Sequence, residues 1–123
     1  MAPRTSTVRV YHAPPRWFLD VADNYGIKVL VDVPWSKHRC FLESREDMES
    51  GRDAVRRTVR ECREHPAVLA FSVVNEIPPD VVRWSGREKV ERFVEELVEI
   101  AREEDPEALV TFANFPSTEY LHP

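Results

Sequence analysis

The stretch Val68–Val74 (VLAFSVV), followed directly by Asn75 and Glu76, carries the strongest fold signal in this 123-residue chain. It is a nearly continuous apolar run of strand length, which is typical of a parallel strand buried on both faces. The other runs of this kind, all rich in β-branched residues, are Thr7–Tyr11 (TVRVY), Ile27–Val33 (IKVLVDV) and Leu109–Ala113 (LVTFA). The sequence therefore predicts four strands.

Three amphipathic patterns predict one helix in each interval between the strands. Gly26 follows the first pattern where a helix C-cap glycine belongs, and Asp105-Pro106 ends the third, because a residue before proline avoids the α region. We assign Trp17 and Phe18 to packing, and the charged segment Glu43–Glu64 to a solvated helix face with ion pairs four residues apart. The apolar stripes are Trp17, Phe18, Val21, Ala22 and Tyr25; Ala54, Val55, Thr58, Val59 and Cys62; and Val90, Phe93, Val94, Leu97, Val98 and Ala101.

The resulting order, β-α-β-α-β-α-β, predicts an α/β fold with a parallel sheet and crossover helices. Hairpin signals such as Asn-Gly and Asp-Gly are absent from the sequence, which agrees with this topology. A complete eight-stranded βα barrel needs about 250 residues, twice the length of this chain. We therefore expect residues 1–123 to form one domain, either an open sheet complete in itself or half of a barrel.

Composition excludes several functional classes. A net charge of −5 leaves no electrostatic footprint for nucleic acid. No apolar run has the roughly 20 residues needed to span a bilayer, and no secretory signal is visible near Met1, so we expect a cytoplasmic protein. Cys40 and Cys62 lack the CxxC spacing of a zinc site, and the glycines form no GxGxxG phosphate loop. We expect no metal, no cofactor, no nucleic acid and no membrane partner.

Polar and aromatic side chains follow the ends of all four predicted strands. In α/β folds binding sites lie at the carboxyl ends of the strands. Burial of charged groups there costs free energy, which favours a functional role for them. The alternative is that these groups cap the sheet by bonding to one another. The candidate site residues are Arg9 and His12, Asp32 and Trp35, Asn75 and Glu76, and Asn114.

Glu76 is the strongest catalytic candidate. A carboxyl group at the edge of an apolar strand is partly desolvated, which raises its pKa and suits it to general acid catalysis. The alternative role for Glu76 is to cap a helix that begins near Pro79. For His12 a structural hydrogen bond is an alternative to a site role, and Trp35 and Trp84 could offer stacking surfaces to a sugar ring or pack against the protein.

These residues resemble the barrel of family 2 glycoside hydrolases, which includes β-galactosidases and β-glucuronidases. Arg9, three residues before His12, looks like that family's Arg–His motif, and Asp23, Gly26 and Asp32 match its next turn and strand. The segment 64–76 (EHPAVLAFSVVNE) looks like the strand of the same clan that ends in Asn-Glu, and Asp105-Pro106 before Leu109 looks like the next strand. The resemblance covers about Thr7 to Leu121.

The resemblance implies that the four strands are the second to fifth of an eight-stranded barrel. It further implies that Glu76 is the general acid/base of a retaining mechanism, that Asn75 contacts the sugar 2-hydroxyl, and that Arg9 and His12 line the pocket. A carbohydrate would be the partner, without a cofactor. Val33 departs from the family, which commonly has Glu there.

The family's nucleophile lies near the end of the seventh strand, beyond the part of the barrel that these residues resemble. A retaining mechanism needs two carboxyl groups about 5–5.5 Å apart. We therefore expect this chain to hold only one half of the catalytic site and to be inactive alone. Glu119 does not match the nucleophile motif. An incomplete barrel has two open sheet edges, so we also expect self-association or assembly with the remainder of the barrel.

Two other interpretations stay open. One is a non-catalytic carbohydrate-binding or accessory module of a polysaccharide-processing protein, in which Arg9, Trp35 and Asn75 would hold a sugar. The other is a flavodoxin-like or other open α/β domain of unrelated function, which the missing phosphate loop makes the weakest of the three.

Overall fold

A computed structural model describes residues 6–35, 41–74 and 79–112, and strands alternate with helices along these segments. All four predicted strands and the three predicted helices are present, and a short helix, α3, follows the third strand. The elements are β1 Thr7–Val10, α1 Arg16–Asn24, β2 Lys28–Asp32, a 3-10 turn Phe41–Glu43, α2 Arg45–Cys62, β3 Val68–Val74, α3 Pro79–Ser85, α4 Arg87–Glu104 and β4 Val110–Phe112.

The sheet order is β1-β2-β3-β4, and every neighbouring pair is parallel. Because parallel crossovers are right-handed in nearly all proteins, an order that never reverses places every crossover helix on the same face of the sheet. This is the winding of a (β/α)8 barrel. A flavodoxin-like sheet changes direction at a switch point, so that alternative does not fit. The fold is a partial TIM barrel, as predicted.

The hydrophobic core lies on the helical face of the sheet. Val31 of β2 aligns with Phe71 of β3, and the two side chains are 0% and 1% exposed. Val55 and Val59 of α2 and Leu97 of α4 are 0% exposed in the same cluster. The predicted stripes of α2 and α4 are therefore confirmed as core-facing, with Val98 only partly buried.

The opposite face of the sheet carries a different set of residues. Leu30 aligns with Arg9 and with Ala70, so these three share that face, and Asp32 aligns with Ser72 on it. Neither Leu30 nor Ala70 belongs to the cluster built with the helices. This is the face that points to the interior when such a sheet closes into a barrel.

Helix α1 differs from its prediction. Leu19 and Ala22 are its buried residues and Phe18 packs beside them, whereas Trp17 is 67% exposed. The assignment of Trp17 to packing was wrong, because the contact with β2 falls on the arc that runs through Leu19 and Ala22. The end of the helix is as predicted: Gly26 has φ +68°, and Ile27 N–H bonds Ala22 O at 2.8 Å.

The charged face of α2 is an ion-pair surface, although not with the predicted spacing. Within the helix, Arg52–Glu49 at 3.0 Å and Arg56–Asp53 at 2.9 Å are three residues apart, and Arg56–Glu49 at 3.9 Å is seven apart. Others reach α4, where both Arg52–Glu96 and Arg60–Glu104 are two-bond pairs of 2.8–3.2 Å. Their hydrogen bonds raise the pKa of both arginines and lower the pKa of Glu104. These pairs link consecutive βα units on their outer side.

None of the helices in the described ranges is long and apolar enough to cross a membrane.

Candidate functional site

The carboxyl ends of parallel strands meet at one edge of the sheet, and four of the seven predicted site residues can be located there or just beyond it. They are Arg9 in β1, His12 after β1, Asp32 at the end of β2 and Trp35 three residues later. Asn75, Glu76 and Asn114 lie outside the described residues. Their assignment to the site stays a prediction.

Arg9 and Asp32 form an ion pair across β1 and β2. Arg9 Nε donates to Asp32 Oδ2 at 2.9 Å, and Nη2 donates to Oδ1 at 3.0 Å. The Asp32 side chain is 3% exposed and that of Arg9 32%. A carboxylate this deeply buried requires a partner, and the guanidinium supplies two parallel, charge-assisted hydrogen bonds. The structure thus brings together two residues that sequence reasoning selected independently.

Ser72 completes this group on β3, and sequence reasoning missed it. It aligns with Asp32, is 1% exposed, and its hydroxyl donates to Val74 O at 2.8 Å. The signal was available, because Ser72 is the one hydroxyl residue in the apolar run 68–74. Its hydrogen bond fixes the backbone carbonyl of the last residue before Asn75.

Trp35 is anchored by three contacts. Its Nε1–H donates to Val73 O at 2.7 Å, and its ring meets Phe93 edge-on with centroids 5.6 Å apart. A Cβ added to Gly51 would lie 3.2 Å from Trp35 Cε3, so the glycine makes room for the indole. Trp35 therefore joins the segment after β2 to β3, α2 and α4. Stacking of this half-buried ring on a sugar stays a prediction.

His12 is exposed, and its Nδ1–H is within hydrogen-bond reach of Ala13 O at 3.2 Å. It borders a cavity of about 230 Å³ on the side of α2, together with Arg57 and Glu61. No hydrogen bond within the described segments joins it to Arg9 or Asp32. Its proposed place in a sugar pocket stays a prediction, as does that of Asp32 and Arg9.

Trp84, the other stacking candidate, lies on α3 and is 69% exposed. Its Nε1–H donates to Glu43 Oε1 at 2.7 Å. The contact ties α3 to the turn before α2.

His65 is a second polar group that sequence reasoning did not single out. Its ring Nδ1 accepts the N–H of Ala67 at 3.1 Å, so Nε2 carries the proton and donates to Asp20 Oδ1 at 2.8 Å. Glu64, with φ +68°, turns the chain into this position. These contacts lie at the amino end of β3, away from the carboxyl edge, and they fix the start of the strand that leads to Asn75 and Glu76.

Within residues 6–35, 41–74 and 79–112, no group of three or more His, Cys, Asp or Glu side chains could hold a metal ion.

Solved structures with this fold include bacterial β-glucuronidases. Apo Bacteroides uniformis β-glucuronidase 3 matches 85% of this chain at 22% identity and a TM-score of 0.71. Bacteroides uniformis β-glucuronidase 2, covalently bound to cyclophellitol-6-carboxylate aziridine, matches 94% at 18% identity and a TM-score of 0.75. Bifidobacterium dentium β-glucuronidase complexed with coumarin-3-O-glucuronide matches 87% at 22% identity and a TM-score of 0.70.

This chain spans 14%, 15% and 18% of the length of those three proteins. No family model and no curated protein matches the sequence. The similarity therefore concerns the fold alone. This chain has the same fold as one segment of much larger glycosidase chains.

Proposed function

We propose that this chain is the acid/base half of a retaining β-glycoside hydrolase barrel, with Glu76 as the general acid/base and the nucleophile outside these 123 residues. Asn75 would bind the sugar 2-hydroxyl, and Arg9, His12, Asp32, Trp35 and Asn114 would line the pocket. The substrate class is a β-linked pyranoside. A glucuronide is the first to test, because solved structures with this fold include β-glucuronidases.

The observation that carries the proposal is the position of the Arg9–Asp32 pair beside the end of β3. Asp32 aligns with Ser72, and the chain continues from Val74 directly into Asn75 and Glu76. Two residues span at most about 7 Å, which supports a place for Glu76 near the same edge of the sheet as the buried carboxylate. A sheet edge that combines a carboxylic acid with a fixed arginine and aspartate suits recognition of sugar hydroxyls.

The chemistry assigns Glu76 two proton transfers. In the first step its carboxylic acid protonates the glycosidic oxygen while the nucleophile's carboxylate forms a bond to the anomeric carbon and the leaving group departs. In the second step the Glu76 carboxylate takes a proton from water, whose oxygen displaces the nucleophile. The net reaction adds one water molecule and regenerates both carboxyl groups.

The test compares the full-length protein that contains these residues with its Glu76→Gln variant on aryl β-glycosides. Glu103→Gln, a charge-matched change on the exposed face of α4, is the control. Loss of a general acid costs about 10²–10⁴ in rate, and we expect that loss in kcat/KM on substrates with poor leaving groups only. For activated substrates kcat should fall instead, because the second step lacks its general base. Azide, which needs no base to attack, should restore turnover of an activated substrate by Glu76→Gln.

Two results would overturn the proposal. One is wild-type activity of Glu76→Gln on poor leaving groups. The other is a full-length protein that hydrolyses no aryl β-glycoside; calorimetric binding of the same sugars would then assign the carbohydrate-binding module instead.

A further inference from the structure

The carboxyl end of β3 contains a β-bulge. Ser72 aligns with Thr111 of β4, and Val74 aligns with the next residue, Phe112, so Val73 is the extra residue on its strand. A bulge bends the strand and changes the direction of the side chains that follow it, and bulges are common next to active sites. The direction in which the chain leaves β3 therefore depends on how this bulge is held.

Three consecutive backbone carbonyls at the bulge accept hydrogen bonds from three different donors. Ser72 O accepts the N–H of Val33 at 2.9 Å. Val73 O accepts the indole Nε1–H of Trp35 at 2.7 Å, and Val74 O accepts the Ser72 hydroxyl at 2.8 Å. Val73 is 0% exposed, and a buried carbonyl requires a donor. The donor for the extra residue thus belongs to a side chain 38 positions earlier in the chain, beyond the end of β2.

The indole of Trp35 is itself fixed in one orientation. Its ring meets Phe93 of α4 edge-on at 5.6 Å, and it lies against Gly51 of α2, where an added Cβ would come within 3.2 Å. Both Phe93 and Gly51 are buried. A side chain locked by packing presents its polar atom at a fixed point, and an indole nitrogen is a donor only. Packing against the two helices therefore directs the Trp35 N–H at the Val73 carbonyl.

We propose that Trp35 is a positioning residue, whose indole N–H holds the bulge at Val73 and so sets the direction of the chain from β3 into Asn75 and Glu76. The proposal rests on the proposed function, in which Glu76 is the general acid/base, and it assigns Trp35 a role that needs no contact with the sugar. Proton transfer requires the acid within hydrogen-bond reach of the glycosidic oxygen, and a displacement of about 1 Å can cost about 10² in rate. Loss of the N–H would leave the buried Val73 carbonyl without this donor, which favours rearrangement of the bulge.

The first test removes the hydrogen bond and keeps the ring. In the full-length protein that contains these residues, Trp35 is replaced by 3-benzothienylalanine, in which sulfur stands in place of the indole N–H. We expect kcat/KM on aryl β-glycosides with poor leaving groups to fall by about 10–100-fold, because the acid is misplaced and not removed. Activated leaving groups need no acid in the first step, so kcat/KM on these substrates should stay near the wild-type value.

The dependence on the leaving group separates positioning from other roles of this tryptophan. Loss of sugar stacking, or of folded protein, lowers kcat/KM for both classes of substrate by the same factor. Trp35→Phe, which keeps an aromatic ring and lacks the N–H, should show the same dependence on the leaving group. The benzothienyl replacement of Trp17, which is 67% exposed on α1, is the control and should leave both values unchanged.

The second test needs no substrate. Hydrogen–deuterium exchange of the full-length protein reports opening of the bulge at the amides of Val73 and Val74, both 0% exposed. We expect these amides to exchange about tenfold faster in the benzothienyl variant of Trp35, while the amides of β1 and α4 keep their wild-type rates. A general loss of stability would raise the exchange rates throughout the domain.

Equal losses on the two classes of substrate, or unchanged kinetics, would overturn the proposal, and so would unchanged exchange at Val73 and Val74. Failure of the proposed function has a different signature, because Glu76→Gln would then keep wild-type activity on poor leaving groups. In that case the role of Trp35 toward Glu76 is overturned as well, and the exchange rates decide whether its N–H holds the bulge.

Discussion

Arg9 and Asp32 lie on neighbouring strands and face each other through two hydrogen bonds, Nε to Oδ2 at 2.9 Å and Nη2 to Oδ1 at 3.0 Å. Both residues belong to the sheet itself, so the pair is held by strand pairing and not by a loop. The guanidinium carbon of Arg9 also lies 5.8 Å from the ring centre of Tyr11. This pair is the best-defined polar feature of the candidate site.

Removing one partner of this pair should lower the free energy of unfolding more than removing both. Arg9→Met leaves the Asp32 carboxylate buried without its cation, a change worth about 3–5 kcal/mol for a fully buried pair. Because the Arg9 side chain is 32% exposed, we expect roughly 2 kcal/mol. The double variant Arg9→Met/Asp32→Leu should recover most of this loss. Urea unfolding of both variants measures the difference, and equal losses would contradict the burial argument.

The contact between Gly51 and Trp35 gives a second prediction. Ala in place of a helical Gly usually adds about 1 kcal/mol to stability. Here the new Cβ would meet Trp35 Cε3 at 3.2 Å, and the indole is held by Val73 O and the Phe93 ring. We expect Gly51→Ala to give no gain, because displacement of the indole offsets the helix propensity.

Fluorescence measures this displacement directly. In a background with Trp17→Phe and Trp84→Phe, the emission of Trp35 should shift in Gly51→Ala and stay unchanged in Ser50→Ala, a control on the exposed side of α2. Full stabilisation by Gly51→Ala with an unchanged emission spectrum would show that the contact is not tight.

Cys62 makes stability depend on pH in the alkaline range. Burial, with a smaller contribution from the charge of Glu61, raises the pKa of its thiol from 9.0 to about 11. Between these values the unfolded chain releases the proton and the folded chain keeps it, so the free energy of unfolding falls as pH rises from 9 to 11. Two pKa units correspond to about 2–3 kcal/mol.

Cys62→Ala is the matched variant, because it lacks the titrating group. Denaturant unfolding at several pH values should give a flatter profile between pH 9 and 11 for this variant than for the wild type. Identical profiles would mean that the thiol does not carry the dependence.

The fold could be predicted closely because β2 and β3 are apolar and buried or half-buried along most of their length. Val68–Val74 was placed to the residue, and Ile27–Val33 was one residue too long at each end. The predicted apolar stripe of helix α1 was right only in part, because the apolar residues of this helix cover more of its circumference than the sheet does. Phe18 and Ala22 of that stripe pack toward the core, whereas the periodicity did not show that Leu19 is buried and that Trp17, Val21 and Tyr25 are exposed.

The site was only partly accessible to sequence reasoning. Position at a strand end selected Arg9 and Asp32, yet their pairing depends on the register of β1 against β2, which no local pattern encodes. Ser72 stands out in the sequence as a hydroxyl residue in an apolar run, but its role, like that of His65, depends on hydrogen bonds with the backbone, to Val74 O and from Ala67 N–H respectively. Such bonds become visible only when the strand ends are placed in space.

The unreversed strand order has a consequence for how the polypeptide is made. Among the described residues, each strand pairs only with the strands immediately before and after it in the chain. Synthesis proceeds from the amino terminus, and domains commonly begin to fold during it. Each newly emerged βα unit can therefore dock on the one that left the ribosome just before it, without waiting for any distant segment. Co-translational growth of this sheet is thus a simple sequence of additions at a single advancing edge.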